Sequence, residues 1–206
     1  MTLMIDHAAK EIALRGWGLP ECLHVPVAAV DENAIRTYVG EVLRVLSAES
    51  EPKAFLVKVR GPDEIDRRLP IWLLESSSIL HQMHQVWVHI GYSRYRSAYK
   101  KAFPDESITN KIMSHALNRR IAVLKGLQFV RITPISRSCN SSSAFSENWG
   151  VALWSKPDEL QSYLRRGAFI HYADLTDLMV MMDIRVGGGV MDVVNEGQKL
   201  VRPSQG

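Results

Sequence analysis

Apolar side chains recur every three or four positions along much of the chain, the spacing that places them on one face of an α-helix. The clearest case begins after Asp31, a residue type that favours the N-cap. Residues 70–90 begin with Pro70, which favours the first position of a helix. The pattern predicts helices at residues 3–15, 31–48, 70–90, 92–103, 108–125, 158–166 and 173–183.

Alternation of apolar and polar residues predicts strands at residues 53–60 and 128–135. Residues 22–30 form a further apolar run, which Pro26 restricts to an edge strand or a break. Residues 149–155 are predicted as another strand, joined to 128–135 by the serine-rich stretch 136–146. Two strands joined by a long polar loop indicate a β-hairpin with a mobile tip.

The central order of predicted elements is helix 92–103, a turn, helix 108–125, and then the hairpin. This order matches the general plan of a winged helix-turn-helix, in which the second helix enters the major groove of DNA. We therefore expect a mixed α+β fold, with a helical core and a helix-turn-helix followed by a β-hairpin (winged-helix-like). Helices 31–48 and 70–90 would support that core and offer a surface for a homodimer or another assembly partner.

Three segments are expected within one compact domain. Residues 1–60 form an N-terminal α/β segment, residues 61–156 a central basic helical region with the β-hairpin, and residues 157–206 a C-terminal helical segment and tail. A chain of 206 residues is long enough to bury a core of its own without disulfides or a structural metal.

The net charge of +3 hides an uneven distribution. Residues 92–137 contain ten Lys and Arg residues against two acids, so that this segment carries +8 and the rest of the chain −5. A concentrated positive field attracts polyanions and speeds encounter with them. The alternative is that the basic face meets an acidic face of the same fold or of a protein partner.

Cysteine usage and hydropathy indicate a cytoplasmic protein. Cys22 and Cys139 are too few for a disulfide framework or a four-cysteine zinc site, so two free thiols are expected. The chain has no apolar run of 18 residues, and its first residues lack the pattern of a signal peptide. We expect neither a transmembrane helix nor a membrane partner.

The predicted helix 108–125 carries polar residues at spacings of three and four, with Arg119 on their flank. Asn pairs with adenine and Lys or Arg with guanine, so this face has the residue types that contact base edges. The alternative is an ordinary solvated helix face. The residues of that face are Ser107, Lys111, Ser114, His115 and Asn118.

Helix 92–103 spaces Tyr92, Tyr95 and Tyr99 along one side, with cations beside them. Interleaved tyrosines and cations stack on bases in single-strand binders. Tyrosines at this spacing are more typical of the buried edge of an amphipathic helix, and we favour that interpretation. The cations are expected to contact phosphates, which positions a nucleic acid without specifying its sequence.

The predicted loop Arg137–Ser143 is rich in small hydrogen-bond donors, which beside Arg131 and Arg137 suit a phosphate-binding wing tip. The alternative is a flexible surface loop. Together with the two helices, the loop completes the set of predicted nucleic-acid contacts. They are Arg94, Arg96, Lys100, Lys101, Lys111, Ser114, His115, Asn118, Arg119, Arg120, Arg131, Arg137, Asn140, Ser141 and Ser142.

Signals for catalysis are weak. His81, His84 and His89 are candidate metal ligands, but histidines on a half-buried helix are more often satisfied core residues. Cys139 has no partner histidine that the sequence places near it, and no nucleophile elbow, P-loop or zinc-protease motif is present. We expect no catalytic residue and no cofactor.

The sequence therefore predicts a nucleic-acid-binding protein, most simply a DNA-binding one with a regulatory or mobile-element role, acting through basic residues 92–137. One alternative is an RNA-binding subunit of a ribonucleoprotein assembly. The other is a small enzyme or an anion-ligand binder that uses the loop 131–143.

Overall fold

A curled antiparallel β-sheet, a half-barrel, dominates the fold. The computed structural model describes residues 25–60, 72–74, 83–185 and 201–203. The strands are β1 (Pro26–Ala29), β2 (Gly40–Val45), β3 (Ala54–Val59), β4 (Trp72–Leu74), β5 (His84–His89), β6 (Lys111–His115), β7 (Phe129–Ser136), β8 (Ile170–Tyr172) and β9 (Val201–Pro203). Strands β4 and β9 form a separate two-stranded sheet.

The main sheet has the order β2-β3-β5-β7-β1-β8, and β6 also pairs with β7. Strand β7 is the centre of this arrangement. Its Ile132 pairs with Val86 of β5 on one side and with His115 of β6 on the other. Since β1 pairs with Phe129 and Val130, β1 and β6 follow one another along the same side of β7. All three segments expected from the sequence contribute strands to this sheet.

Seven mostly short helices surround the sheet in the described part of the chain. They are α1 (Glu32–Ala34, continued by a π-helical turn Ile35–Val39), α2 (Tyr95–Ala102), α3 (Arg119–Leu124), α4 (Arg137–Ser142), α5 (Ala144–Trp154), α6 (Pro157–Leu164) and α7 (Leu175–Met181). No helix within the described ranges has the length and apolar content needed to cross a membrane.

The two faces of the sheet carry separate hydrophobic clusters, as alternation along the strands requires. On one face, Val86, Val88, Val130 and Ile132 pack with Tyr99 of α2. On the other face, the strands contribute a mainly aromatic set that packs with α1. That set consists of Phe55, Val57, Trp87 and Phe129, and its partners on α1 are Ile35 and Val39.

The predicted helix-turn-helix is wrong. The mixed α+β composition is present, but a sheet rather than a helical core organises it. Residues 108–125 are not one helix: Asn110 adopts a left-handed conformation with φ 63°, and Lys111–His115 then form strand β6. Only Arg119–Leu124 are helical, beginning at the N-cap Asn118. In the structure, the apolar residues that suggested one helical stripe are divided between strand β6 and the short helix α3.

The predicted wing is also wrong. The serine-rich stretch 136–146 is not a loop, because Ser136 caps helix α4 and a second helix, α5, begins at Ala144. Residues 149–155, predicted as a strand, belong almost entirely to α5. Strand β7 confirms the prediction for 128–135, but it pairs with β5, β1 and β6 instead of forming that hairpin.

Two long predicted helices are replaced by strands. The segment 31–48 is helical only to Val39 and continues as β2, whereas the segment 70–90 contains β4 and β5 in its described part. Helix 92–103, helix 158–166, helix 173–183 and strand 53–60 are confirmed, each with slightly different ends. The apolar run 22–30 contains β1. The predicted helix 3–15 lies outside the described residues.

Ser136→Ala tests the correction at the serine-rich stretch. The Ser136 hydroxyl accepts a hydrogen bond from the Cys139 backbone N–H at 3.1 Å. Loss of an N-cap hydroxyl is expected to lower the free energy of unfolding by about 1 kcal/mol. Urea denaturation measures the change, with Ser141→Ala, an exposed position in the same helix, as the control. Equal midpoints for both variants would contradict the capping role.

Candidate polyanion-binding surface and a buried lysine site

Helix α2 presents a row of cations to solvent. Ala98 and Tyr99 face inward and are buried, whereas Arg96, Lys100 and Lys101 are exposed. Arg94, also exposed, immediately precedes the helix. The interpretation of the tyrosines as core residues is confirmed for Tyr99, which is 1% exposed.

Backbone carbonyls hold three of the neighbouring cations. Arg44 on β2 donates from Nη2 to the Lys101 carbonyl at 2.5 Å, and Lys101 Nζ donates back to the Leu46 carbonyl at 3.1 Å. Arg96 donates to the carbonyls of Lys111 and Ile108, each at 2.7 Å. We call Arg44, Arg94, Arg96, Lys100 and Lys101 the α2 surface. Across the described residues, none of these five side chains forms a salt bridge with a carboxylate.

The polar residues predicted to share one helix face are instead divided among structural roles. Lys111 forms an ion pair with Asp183 at 2.5 Å. Asn118 caps α3 by accepting from the Arg120 N–H, and its Nδ2 donates to Glu147 at 2.8 Å. Ser114 is half-buried on β6 and bonds to the neighbouring His115 carbonyl.

His115 lies against the ring of Tyr95, with 4.8 Å between the ring centroids. Burial, together with the nearby charge of Arg119, lowers the pKa of His115 to about 4. Its imidazole is therefore neutral at physiological pH and does not add to the positive field. Arg119 and Arg120 themselves are exposed at the start of α3, so they remain available to a ligand.

The residues of the predicted phosphate-binding loop do not form a loop in the structure. Arg131 is fully buried in the centre of the sheet, and burial lowers its pKa to about 9. Arg137 is exposed at the first position of α4. The remaining polar residues lie along that short helix. Ser142 donates to the Cys139 carbonyl, the Asn140 carbonyl accepts from Ser143, and Ser141 is exposed.

The histidines of β5 do not converge. His84 and His89 lie at opposite ends of the strand, roughly 16 Å apart at the usual rise per residue. His89 accepts from the Gly91 N–H and packs edge-on against Phe129. No group of three potential ligands in the described ranges is placed to hold a metal ion. His81 lies outside the described residues.

Cys139 is buried, and its thiol donates to the carbonyls of Val180 and Ile184. Burial, followed by the nearby carboxylate of Asp183, raises the pKa of the thiol to about 11. Since the thiolate is the nucleophilic form, this environment suits a packed core residue rather than a catalytic one.

Helices α3 and α5 lie side by side and parallel. Three contacts establish the direction: Asn118 bonds to Glu147, Ile121 abuts Gly150, and the amine of Lys125 lies over the ring of Trp154. Successive contacts advance equally along both helices. The pairing carries Lys125, which follows α3, into the protein interior.

Lys125 is only 3% exposed and lies among aromatic rings. Its Nζ lies 3.7 Å from the ring centroid of Trp154, 4.7 Å from that of Tyr163 and 3.5 Å from Nε2 of His171. Burial lowers the pKa of Lys125 to about 7, an effect that Asp174 and Asp177 partly oppose. Burial and the lysine charge likewise lower the pKa of His171 well below 6.5.

Asp174 and Asp177 form a capping box at the start of α7, in which each side chain accepts from the backbone N–H of the other. Burial raises the pKa of both carboxyls, and for Asp177 the neighbouring Asp174 charge adds to the rise. We call Lys125, His171, Asp174 and Asp177 the lysine cluster. Lys125 was counted among the ten cations of residues 92–137, although its position four residues after Ile121 places it on the apolar stripe of that segment.

Comparison with known proteins gives no further assignment. No family model, no curated protein and no solved structure matches the chain.

Proposed function

We propose that this protein binds the phosphate backbone of nucleic acid through the α2 surface. The observation that supports the proposal is that several adjacent exposed cations are held by backbone carbonyls rather than neutralised by carboxylates. A carbonyl contact leaves the full positive charge of an Arg or Lys side chain in place. The field around α2 is therefore available to a polyanion.

The carbonyl contacts also favour binding by fixing the side chains in advance. A long cationic side chain loses rotamer entropy when it is immobilised by a ligand, and part of that cost is already met for Arg96 and Lys101. Arg96 uses two of the five N–H donors of its guanidinium on carbonyls. The remaining donors can contact phosphate oxygens.

The mode of binding differs from major-groove recognition by a helix. Lys111 and Asn118, expected to contact bases, are engaged within the protein. The α2 surface consists of phosphate-contacting residue types, which position a nucleic acid but carry little sequence information. We propose weakly sequence-dependent binding to DNA or RNA. A regulatory or mobile-element role stays a prediction.

Neutralising Arg94 and Lys100 tests the proposal with little risk to folding, since both are exposed. For Arg94→Gln/Lys100→Gln, affinity at low salt is expected to fall about tenfold or more. The slope of log affinity against log salt should decrease in magnitude by about 1.4 to 1.8, because each lost phosphate contact contributes about 0.7 to 0.9. Fluorescence anisotropy with duplex DNA, single-stranded DNA and single-stranded RNA measures both quantities.

The matched control removes the same charge elsewhere. Lys156→Gln/Arg165→Gln alters two exposed cations that flank α6. This control should retain the wild-type affinity and salt slope. Equal weakening by both double variants would mean that only net charge matters and would overturn the assignment to α2. Wild-type affinity that does not change with salt, or preference for an acidic protein over all three nucleic acids, would overturn the proposed function itself.

A further inference from the structure

The lysine cluster joins elements that are distant in sequence. Lys125 follows α3, His171 belongs to β8, and the two aspartates begin α7. Trp154 and Tyr163 enclose the amine from α5 and α6. From this convergence on a buried amine we propose that undocking of the segment β8–α7 from the junction takes up one proton at Lys125, so that docking strengthens as the pH rises.

Every element packed against the Lys125 amine contributes to its electrostatic environment. Strand β8 places the imidazole of His171 at 3.5 Å, and α7 supplies the carboxyls of Asp174 and Asp177. Helix α5 contributes the ring of Trp154, and its Glu147 acts on Asp177. Helix α6 contributes the phenol ring of Tyr163.

The direction of the effect follows from the proton balance. In the docked state burial holds the pKa of Lys125 near 7, whereas an amine returned to water regains its ordinary value of 10.5. Between these two values the undocked segment binds a proton that the docked one has released. Rising pH therefore opposes undocking in this window, and the effect disappears as the pH falls below 7.

The other groups of the cluster act differently. The lowered pKa of His171 affects docking only below its ordinary value of 6.5. The raised pKa values of Asp174 and Asp177 act in the opposite sense, since the docked carboxyls retain protons that undocked ones release. In the docked state Arg131, with a pKa of about 9, and Cys139, with a pKa of about 11, remain mainly protonated from pH 7 to 8.5. The difference between the wild type and a variant without the Lys125 amine, measured between pH 7 and 8.5, therefore tests Lys125.

Hydrogen exchange of the α7 amides between pH 7 and 8.5 measures the equilibrium constant for undocking, which we call the opening constant. The measured rates are first corrected for the intrinsic exchange rate of each amide. The opening constant of the wild type should fall about tenfold across this range, since release of one proton gives at most about tenfold per pH unit. Lys125→Met keeps an apolar side chain against Trp154 and Tyr163 but has no amine, so its opening constant should not show this fall. Lys156→Met, at an exposed lysine, is the matched control and should keep the wild-type fall.

A fall that persists in Lys125→Met, or a wild-type opening constant that does not change with pH, would overturn the proposal. Lys125→Arg provides a second test should the methionine variant not fold, because a permanently charged guanidinium also removes the pH dependence. NMR titration of the lysine Nζ groups should show one amine that titrates near pH 7 and is absent from Lys125→Met. If all lysines titrate near 10.5 in the folded protein, the proposal fails.

Discussion

Replacing Gly40 with alanine is expected to lower the free energy of unfolding by about 3 kcal/mol or more, at the upper end of the cost of overpacking. Gly40 begins β2 and pairs with Val59 of β3. A Cβ at this position would overlap the Lys58 carbonyl oxygen and would lie 2.9 Å from two further backbone atoms. No rotamer change relieves a clash with backbone, so β2 and β3 would have to separate.

Glycine is required at this position because the backbone of β3 lies too close to leave room for a side chain, not because of the backbone conformation. Gly40 has a φ of 173°, which is extended and open to any residue. Urea denaturation compares Gly40→Ala with Gly91→Ala, whose added Cβ would be 3.4 Å from its nearest neighbour, Nδ1 of His89. The control should change stability by less than about 1 kcal/mol, as an ordinary van der Waals contact does not force displacement. Equal midpoints for the two variants would show that the strands tolerate the clash.

Trp87→Ala is expected to lower the free energy of unfolding by about 3 to 5 kcal/mol, the usual cost of deleting a large buried aromatic side chain. Trp87 is fully buried on β5, where it pairs with Phe55 on one neighbouring strand and with Arg131 on the other. Its indole N–H donates to the Gln85 side chain at 3.2 Å. The substitution removes both the packing and this hydrogen bond at the centre of the sheet.

Two companion variants separate these contributions. Trp87→Phe retains most of the packing but no donor, so its loss of stability should be clearly smaller than that of Trp87→Ala. Met83→Ala alters a side chain that is 54% exposed just before β5 and should change stability by no more than about 0.5 kcal/mol. A loss at Trp87→Ala as small as that at Met83 would contradict the central position of Trp87.

Strands β3, β5 and β7 show where sequence patterns predict this fold and where they do not. Residues 53–60 and 128–135 alternate cleanly, and both are strands as predicted. In β5 only Val86, Trp87 and Val88 are apolar, and they lie on alternate faces that are both buried. An apolar run this short fits a helix equally well. Pairing with β3 and β7 decides between the two, and such pairing is not visible in local spacing.

The candidate site was only partly predictable for the same physical reason. Counting charges locates the cations on and beside α2, because exposure of Arg94, Arg96 and Lys100 follows from one amphipathic helix. It also counts Lys125 and Arg131, which the fold buries. Burial of a cation depends on what other segments supply, here Trp154, Tyr163 and His171 around Lys125. No local pattern indicates that convergence.

The parallel pairing of α3 and α5 bears on the order of folding. The three contacts that define this pairing each join residues 29 positions apart in the chain, with β7 and α4 between them. A helix as short as α3 is not stable alone in water and depends on packing. Helix α3 should therefore acquire protection from hydrogen exchange only together with α5, in a late and cooperative step. Because such non-local contacts slow folding, this junction is expected to form after the hairpin of β2 and β3.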